Sequence, residues 1–219
     1  MRIMNPDPNR RRLLTALAGM LVVNPALAGS RLLATPAQSK GPFYPLELPL
    51  DDDNDLTRVT GRSGVAAGRL TELNGRLLDL NGRPVTDARI EIWQCDANGR
   101  YHHPGDPGRA ALDENFQGHG QTRSDGAGGY RFRTIRPVPY PGRTPHIHIA
   151  VFAPQSPPFV TQLYIKGEPG NADDFLFNRV PAERRHLVQA DFVAAGRPGV
   201  ALQAEFDLVL GGTDGTPAA

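Results

Sequence analysis

Two histidines separated by one residue, His146-Ile147-His148, are the first place where this sequence could do chemistry. On a β-strand, side chains two apart leave the same face. Both imidazoles could therefore offer a nitrogen to one metal ion while Ile147 turns into a packed layer. A structural or solvated histidine pair fits the same spacing, so the pair alone leaves the question open. Its neighbours add to it. Arg143 precedes His146 by three residues, and Tyr140 precedes Arg143 by three. Both sit in Pro139-Tyr140-Pro141-Gly142-Arg143-Thr144-Pro145, where proline restricts the backbone and holds side chains at low entropic cost. An arginine beside two histidines suits a site that binds or develops negative charge. A second signal is Trp93 to Tyr101, in which a strand runs into an Asn98-Gly99 turn that brings Tyr101 to the mouth of a sheet. Taken singly, Tyr101 reads as a half-buried packing residue.

The elements that must carry these groups read as strands and turns. Leu70–Leu80 and Arg89–Cys95 flank Asn81-Gly82-Arg83-Pro84, a hairpin signal. Ile90-Glu91-Ile92-Trp93 alternates like a strand with one buried face. Ser124 to Gly129 is a turn, after which Tyr130, Phe132 and Thr134 alternate with Arg131 and Arg133. His146–Phe152 is apolar on both faces and suits a central strand, and Val160–Lys166 and Ala201–Leu210 alternate again. Only Pro181–Ala194 offers a helical stretch. Strands spaced by Gly, Pro and Asp turns predict an all-β fold: a β-sandwich core with long loops and little helix.

Composition agrees with that reading. Glycine (24) and proline (21) make up about a fifth of the 219 residues, against an average near ~12%. There is no Gly-X-Y period, so the excess belongs to turns. A formal charge of +1 lacks the basic surplus of a nucleic-acid-binding protein. A single cysteine excludes an internal disulfide framework and a cysteine-based zinc cluster. Arg10-Arg11-Arg12, the apolar run Leu13–Val23 and Ala26-Leu27-Ala28 have the three parts of an export signal. The run is too short for a stable membrane span, which needs about 20 residues. The paired arginines resemble a twin-arginine signal, and general secretion is the alternative. The expected division is residues 1–28 as signal and 29–219 as one domain, placed in the periplasm or outside the cell. Residues 1–28 hold four arginines and one aspartate, so their removal takes the formal charge from +1 to −2.

Several segments together resemble the intradiol ring-cleavage dioxygenases: Glu91-Ile-Trp-Gln-Cys-Asp with Gly99-Arg-Tyr101, Phe116-Gln-Gly-His-Gly, Tyr130-Arg-Phe-Arg-Thr-Ile, Tyr140-Pro-Gly-Arg-Thr-Pro-His-Ile-His and Thr161-Gln-Leu-Tyr. Gly41-Pro-Phe-Tyr and Asp53-Asn-Asp-Leu resemble that family's opening segment, so the match runs in order from about Gly41 to Leu210. The resemblance implies a non-haem Fe(III) ion held by Tyr101, Tyr140, His146 and His148. Ligand chemistry agrees. Phenolate is a hard, anionic donor suited to ferric iron, imidazole suits iron too, and a bound cation can hold deprotonated a phenol whose free pKa is near ~10. The resemblance also implies a catecholic substrate and O2, displacement of Tyr140 by the substrate, and cleavage between the two hydroxyl-bearing carbons to a muconate-type diacid. Arg143 would stabilise the negative ring that develops, and Gln162 would line the pocket as a hydrogen-bonding group. A homo-oligomer is compatible with the sequence. The competing reading is a secreted β-sandwich binding module for phenolics or polysaccharide, without turnover.

The remaining polar residues carry plainer expectations. Of His102 and His103, at most one can face the site, and solvent exposure is expected of them. His119 and His186 are expected at the surface or in packing, and Asp51-Asp52-Asp53 with Asp55 in a solvated turn, since the spacing of an EF-hand is missing. Cys95 is expected to be a buried small hydrophobe. Well-characterised family members carry a longer loop between the second tyrosine and the first histidine, with an aromatic residue in it. Here Gly142 stands in a short loop, which predicts a more open pocket.

Overall fold

The computed structural model describes residues 31–49 and 51–211, so the expected export segment lies outside the described residues. In chain order the strands are β1 (Leu70–Asp79), β2 (Arg89–Trp93), β3 (His119–Arg123), β4 (Gly129–Ile135), β5 (His146–Phe152) and β6 (Phe159–Ile165). A short helix α1 (Phe175–Arg179) and a 3-10 turn over Ala182–Val188 precede β7 (Gln189–Ala190), β8 (Val193–Arg197), β9 (Val200–Glu205) and β10 (Leu208–Leu210). One sheet has the order β3-β2-β5-β6-β7. In the other, β1 is central, with β4 antiparallel on it and β9 and β10 parallel to it, and β8 beyond β9. β9 and β10 hold one continuous register on β1, Asn74 opposite Glu205 and Leu77 opposite Leu208. At the break between them Gly75 meets the Phe206 carbonyl so closely that a Cβ would collide with it.

The core between the sheets follows from the period-two alternation. Ile90, Ile92, Ile147, Ile149, Val151 and Leu163 from one sheet pack on Leu73, Leu77, Phe132, Ala204 and Leu208 from the other. Each such side chain removed from water contributes about 1.5–3 kcal/mol. What distinguishes the β5 sheet is its second face. Residues His146 through Val151 are all buried, because loops and the segment before β1 cover the outer side as well. Trp93, Cys95, Tyr101 and Ala150 form a separate buried cluster there. Among the described residues no helix is long and apolar enough to cross a membrane.

Two local expectations are corrected. The Asn81-Gly82 turn exists, with Gly82 at φ 75° and its N–H donating to the Asp79 carbonyl, but β1 and β2 do not pair. Only a single bridge, Leu78 with Pro84, follows the turn. Pro84 cannot donate to a ladder, and the chain crosses to the opposite sheet. The stretch Pro181–Ala194 is not an α-helix either. It is a 3-10 turn, then β7, then the start of β8, and of the 3-10 residues only Val188 is buried. Among the described residues the one α-helix is α1, capped by Asp174, whose side chain accepts from the Leu176 and Phe177 N–H groups.

Candidate metal centre

His146 and His148 project from the outer face of β5, paired across the ladder with Tyr164 and with Trp93 and Gln162 respectively. Their Nε2 atoms lie 3.2 Å apart. His146 Nδ1 is 2.7 Å from the Thr144 carbonyl. A carbonyl only accepts, so the proton sits on Nδ1 and the Nε2 lone pair points into the site. Trp93 stacks on the His148 ring at 4.8 Å and 6°, and Gly41 abuts its edge, where a Cβ would come within 3.1 Å of Cε1.

The two tyrosines arrive from loops. After β2 the chain turns at Gly99 (φ 73°), and Asp96 Oδ1 accepts from the Asn98 and Arg100 N–H groups at 2.8 and 3.0 Å. This turn delivers Tyr101, 4% exposed, to the histidines. Tyr140 opens a four-residue turn closed by Arg143 N–H donating to its carbonyl at 2.9 Å. Pro141 at the second position and Gly142 at φ 82° in the third are the requirements of a type II turn. The Tyr101 and Tyr140 rings meet edge-on at 5.3 Å, with Tyr101 6.4 Å from His148 and Tyr140 5.5 Å from His146. The sequence thus named four groups that the fold brings to one place.

Arg143 faces the same spot, its side chain 7% exposed. Its Nε donates to Asp174 Oδ2 at 2.8 Å and its Nη2 to Gln162 Oε1 at 2.6 Å. Its Nη1 lies 3.4 Å from Tyr140 Oη and 3.4 Å from His146 Nε2. Gln162 is fully engaged, since its Nε2 donates to the Ser39 carbonyl at 3.0 Å. Tyr164 donates to Gln38 Oε1 at 2.8 Å. Sequence reasoning did not single out Asp174, Phe43 or Tyr164. Phe43 stacks on Tyr101 at 4.7 Å and meets Tyr140 edge-on at 6.0 Å. Its only signal was the Gly41-Pro-Phe-Tyr segment.

Burial sets the charge state of these groups. It pushes the Tyr101 phenol well above its ordinary value, with Cys95 and Tyr140 adding to the rise. Burial also raises Tyr140, although Arg143 pulls the other way. His146 is pushed down to about 3 by burial and then by Arg143, and His148 falls well below the usual range by burial, His146 and Arg143. Burial works against the charge of Arg143, but the bond to Asp174 carries it above its ordinary value. Asp174 is lowered, its bonds to Arg143 and to backbone N–H groups outweighing its burial. Without a bound cation the site therefore holds two neutral imidazoles, two protonated phenols and one guanidinium.

The donor set fits a hard trivalent cation. Tyr101 Oη, in the cluster, is buried without a hydrogen-bond partner, which native structures rarely tolerate in polar groups without a use. Among the described residues no three or more His, Cys, Asp or Glu side chains gather to hold a metal, so any such centre depends on the phenols. A cation there would reverse the tyrosine preference and release their protons.

The other candidates fall elsewhere. His102 and His186 are exposed, as expected. His103 is half-buried and meets Phe43 edge-on at 5.7 Å. His119 is buried 3.5 Å from Glu91, which also contacts Arg89 and accepts from Tyr44 Oη at 2.8 Å, so it is a packing residue. Asp53 and Asp55 each accept from N–H groups two residues on, and Asp52 from Gln121, giving a turn rather than a cation loop. Cys95 is buried, its thiol pushed up to about 12 by burial and Asp96. Gly142 is exposed, with nothing within 4 Å of where a Cβ would be.

A family model, "Dioxygenase", matches residues 39–212. The chain belongs to the intradiol ring-cleavage dioxygenase family. It is 40% identical over 174 residues to the protocatechuate 3,4-dioxygenase beta chain of Burkholderia cepacia, covering 75% of this chain and 74% of that one. It is 34% identical to the hydroxyquinol 1,2-dioxygenase of Corynebacterium glutamicum, over 62% of this chain and 48% of that protein, about half its length. Among solved structures, the dioxygenase domain of a dioxygenase carbohydrate-binding protein fusion from Streptomyces sp. SirexAA-E superposes with a TM-score of 0.63 at 30% identity, covering 81% of this chain and 98% of that one. Catechol 1,2-dioxygenase from Acinetobacter sp. ADP1 gives 0.61 at 26% identity, covering 81% and 63%.

Proposed function

We propose that this chain cleaves the ring of a catecholic aromatic with O2, between the two hydroxyl-bearing carbons, using a non-haem Fe(III) ion held by Tyr101, Tyr140, His146 and His148. The observation that carries the reading is the convergence of two phenols and two neutral imidazoles on one buried spot, with a pinned guanidinium beside them. When bound, ferric iron would supply a Lewis acid for the catechol oxygens that draws electron density from the ring. The chain's own residues do the rest. His146 and His148 present lone pairs, His146 in a tautomer fixed by Thr144. Tyr101 is deeply buried and is the permanent phenolate. Tyr140 is only half-buried and lies two residues before the exposed Gly142. With iron bound it would be the more accessible of the two tyrosinate donors, and its phenolate would be placed to take a catechol proton. Arg143 Nη1, aimed at the donor cluster, stabilises the negative charge that builds on the ring, the kind of preorganised contact worth roughly 3–4 kcal/mol. Phe43 and Trp93 wall the site with apolar surface.

Relatives named for protocatechuate, hydroxyquinol and catechol set the substrate class, so those three compounds form the test panel. Export from the cytoplasm is proposed on Arg10-Arg11-Arg12, Leu13–Val23 and Ala26-Leu27-Ala28. N-terminal sequencing of protein recovered from outside the cytoplasm should begin near Gly29, and an intact Met1 in that fraction would refute it. The iron-loaded protein should be red-brown from tyrosinate-to-iron charge transfer, with Tyr140→Phe shifting the colour. An oxygen electrode should register uptake with at least one catechol of the panel. Colourless protein, inactive after ferric reconstitution, that still binds catechols would instead describe a binding module.

A further inference from the structure

We propose that Asp174 is a positioning residue that aims Arg143, so that one edge of the guanidinium, Nη1, is reserved for charge developing on the substrate. The inference rests on the reading of Arg143 given above and extends it to a residue in a segment 31 positions away. Guanidinium is a rigid planar fork with five N–H donors, so fixing two of its nitrogens fixes the third. Asp174 Oδ2 holds Nε at 2.8 Å, and Gln162 Oε1 holds Nη2 at 2.6 Å. Only Nη1 is left facing Tyr140 Oη and His146 Nε2.

The same carboxylate reaches further. Oδ2 also accepts from the Thr144 N–H at 3.0 Å, and the Thr144 carbonyl is the partner of His146 Nδ1. One oxygen thus ties the head of Arg143 to the backbone that orients His146. The other oxygen, Oδ1, accepts from the Leu176 and Phe177 N–H groups at 3.1 and 2.8 Å and so caps α1. A cap requires one acceptor, which serine supplies as well as aspartate. The second oxygen, fully buried and turned toward residues 143 and 144, is what a cap does not explain.

The test separates capping from aiming. Iron-loaded wild type, Asp174→Asn, Asp174→Ser, Arg143→Met and the double variant Asp174→Asn/Arg143→Met are compared in kcat and KM, with melting of each metal-free form measured alongside. A misaimed charge contact of this kind should lower kcat by about 100-fold with KM changed less than about threefold, in both Asp174 variants, although Asp174→Ser keeps a cap for α1; both melt below wild type because Arg143 loses its buried partner. In the Arg143→Met background, Asp174→Asn should change kcat by less than about threefold, because residues acting as a unit are not additive. In the metal-free protein the Arg143 Nε–H proton should exchange slowly in wild type and rapidly in Asp174→Asn. Equal losses in both backgrounds, unchanged exchange of that proton, or failure of both single variants to fold would overturn the proposal. Unchanged kcat in Arg143→Met would instead remove the reading of Arg143 itself.

Discussion

Replacing Tyr101 by phenylalanine should stabilise the metal-free protein and weaken its hold on the metal. The Tyr101 hydroxyl is buried and has no hydrogen-bond partner, while its ring packs on Phe43 at 4.7 Å and within the cluster of Trp93, Cys95 and Ala150. Phenylalanine keeps the ring and removes only the stranded oxygen. A buried polar group without a partner costs about 1–3 kcal/mol, so Tyr101→Phe should gain at least ~1 kcal/mol in the absence of iron. For a domain of this size that is roughly 2–4 °C in Tm per kcal/mol. Bound iron works against that gain. At a free concentration 100 times Kd, a ligand adds about 2.7 kcal/mol. If loss of one of four donors weakens Kd 100-fold, the same concentration adds only about 0.4 kcal/mol. In calorimetric melts the variant should therefore stand above wild type when metal-free, and a ferric chelate should raise it by about 2.3 kcal/mol less than wild type, enough to put it below wild type for any metal-free gain under that figure. A metal-free variant that melts lower than wild type would show that the hydroxyl has a structural partner. An equal iron-induced rise in both proteins would show that Tyr101 is not a ligand.

His119 predicts an acid limb in the stability of the metal-free protein. It is held neutral in the fold, pushed down to about 4 chiefly by burial, whereas in the unfolded chain it protonates near ~6.5. Its contribution is present above that value and is lost as pH falls from ~6.5 toward 4, about 2 kcal/mol of it by pH 5. Urea unfolding across this range should show a shallower fall for His119→Gln, and identical slopes would contradict the assignment. Gly75→Ala should destabilise by about 3 kcal/mol or more, because its Cβ would enter the Phe206 carbonyl at the junction of β9 and β10. An unfolding midpoint close to wild type would mean that this junction yields.

The all-β sandwich was legible from local rules, and the family resemblance named Tyr101, Tyr140, His146 and His148, whose settings are local too. Period-two alternation assigns faces, and His-x-His on a strand, Asn98-Gly99 before Tyr101 and the prolyl turn after Tyr140 each fix a side chain within a few residues of chain. The pairing of strands was less legible. Asn81-Gly82 looked like a hairpin, yet whether β1 keeps β2 as its partner is decided by which wall of the sandwich each apolar face joins. Likewise α1 is too short for helical periodicity, and the apolar spacing of Pro181–Ala194 serves a 3-10 turn and two strands instead. The parts of the site contributed from a distance left the least trace. Asp174 acts on Arg143 through a contact between separate segments, and Phe43 reaches Tyr101 from ahead of β1.

The most direct test of the whole account is the fate of the oxygen. Ferric-loaded protein incubated with a catechol under ¹⁸O₂ should give a ring-opened diacid carrying both labelled atoms, as determined by mass spectrometry, and should lose this activity in Arg143→Met. Recovery of intact catechol, of a quinone without label, or of a product whose carbon–carbon bond between the hydroxyl-bearing carbons survives would contradict it.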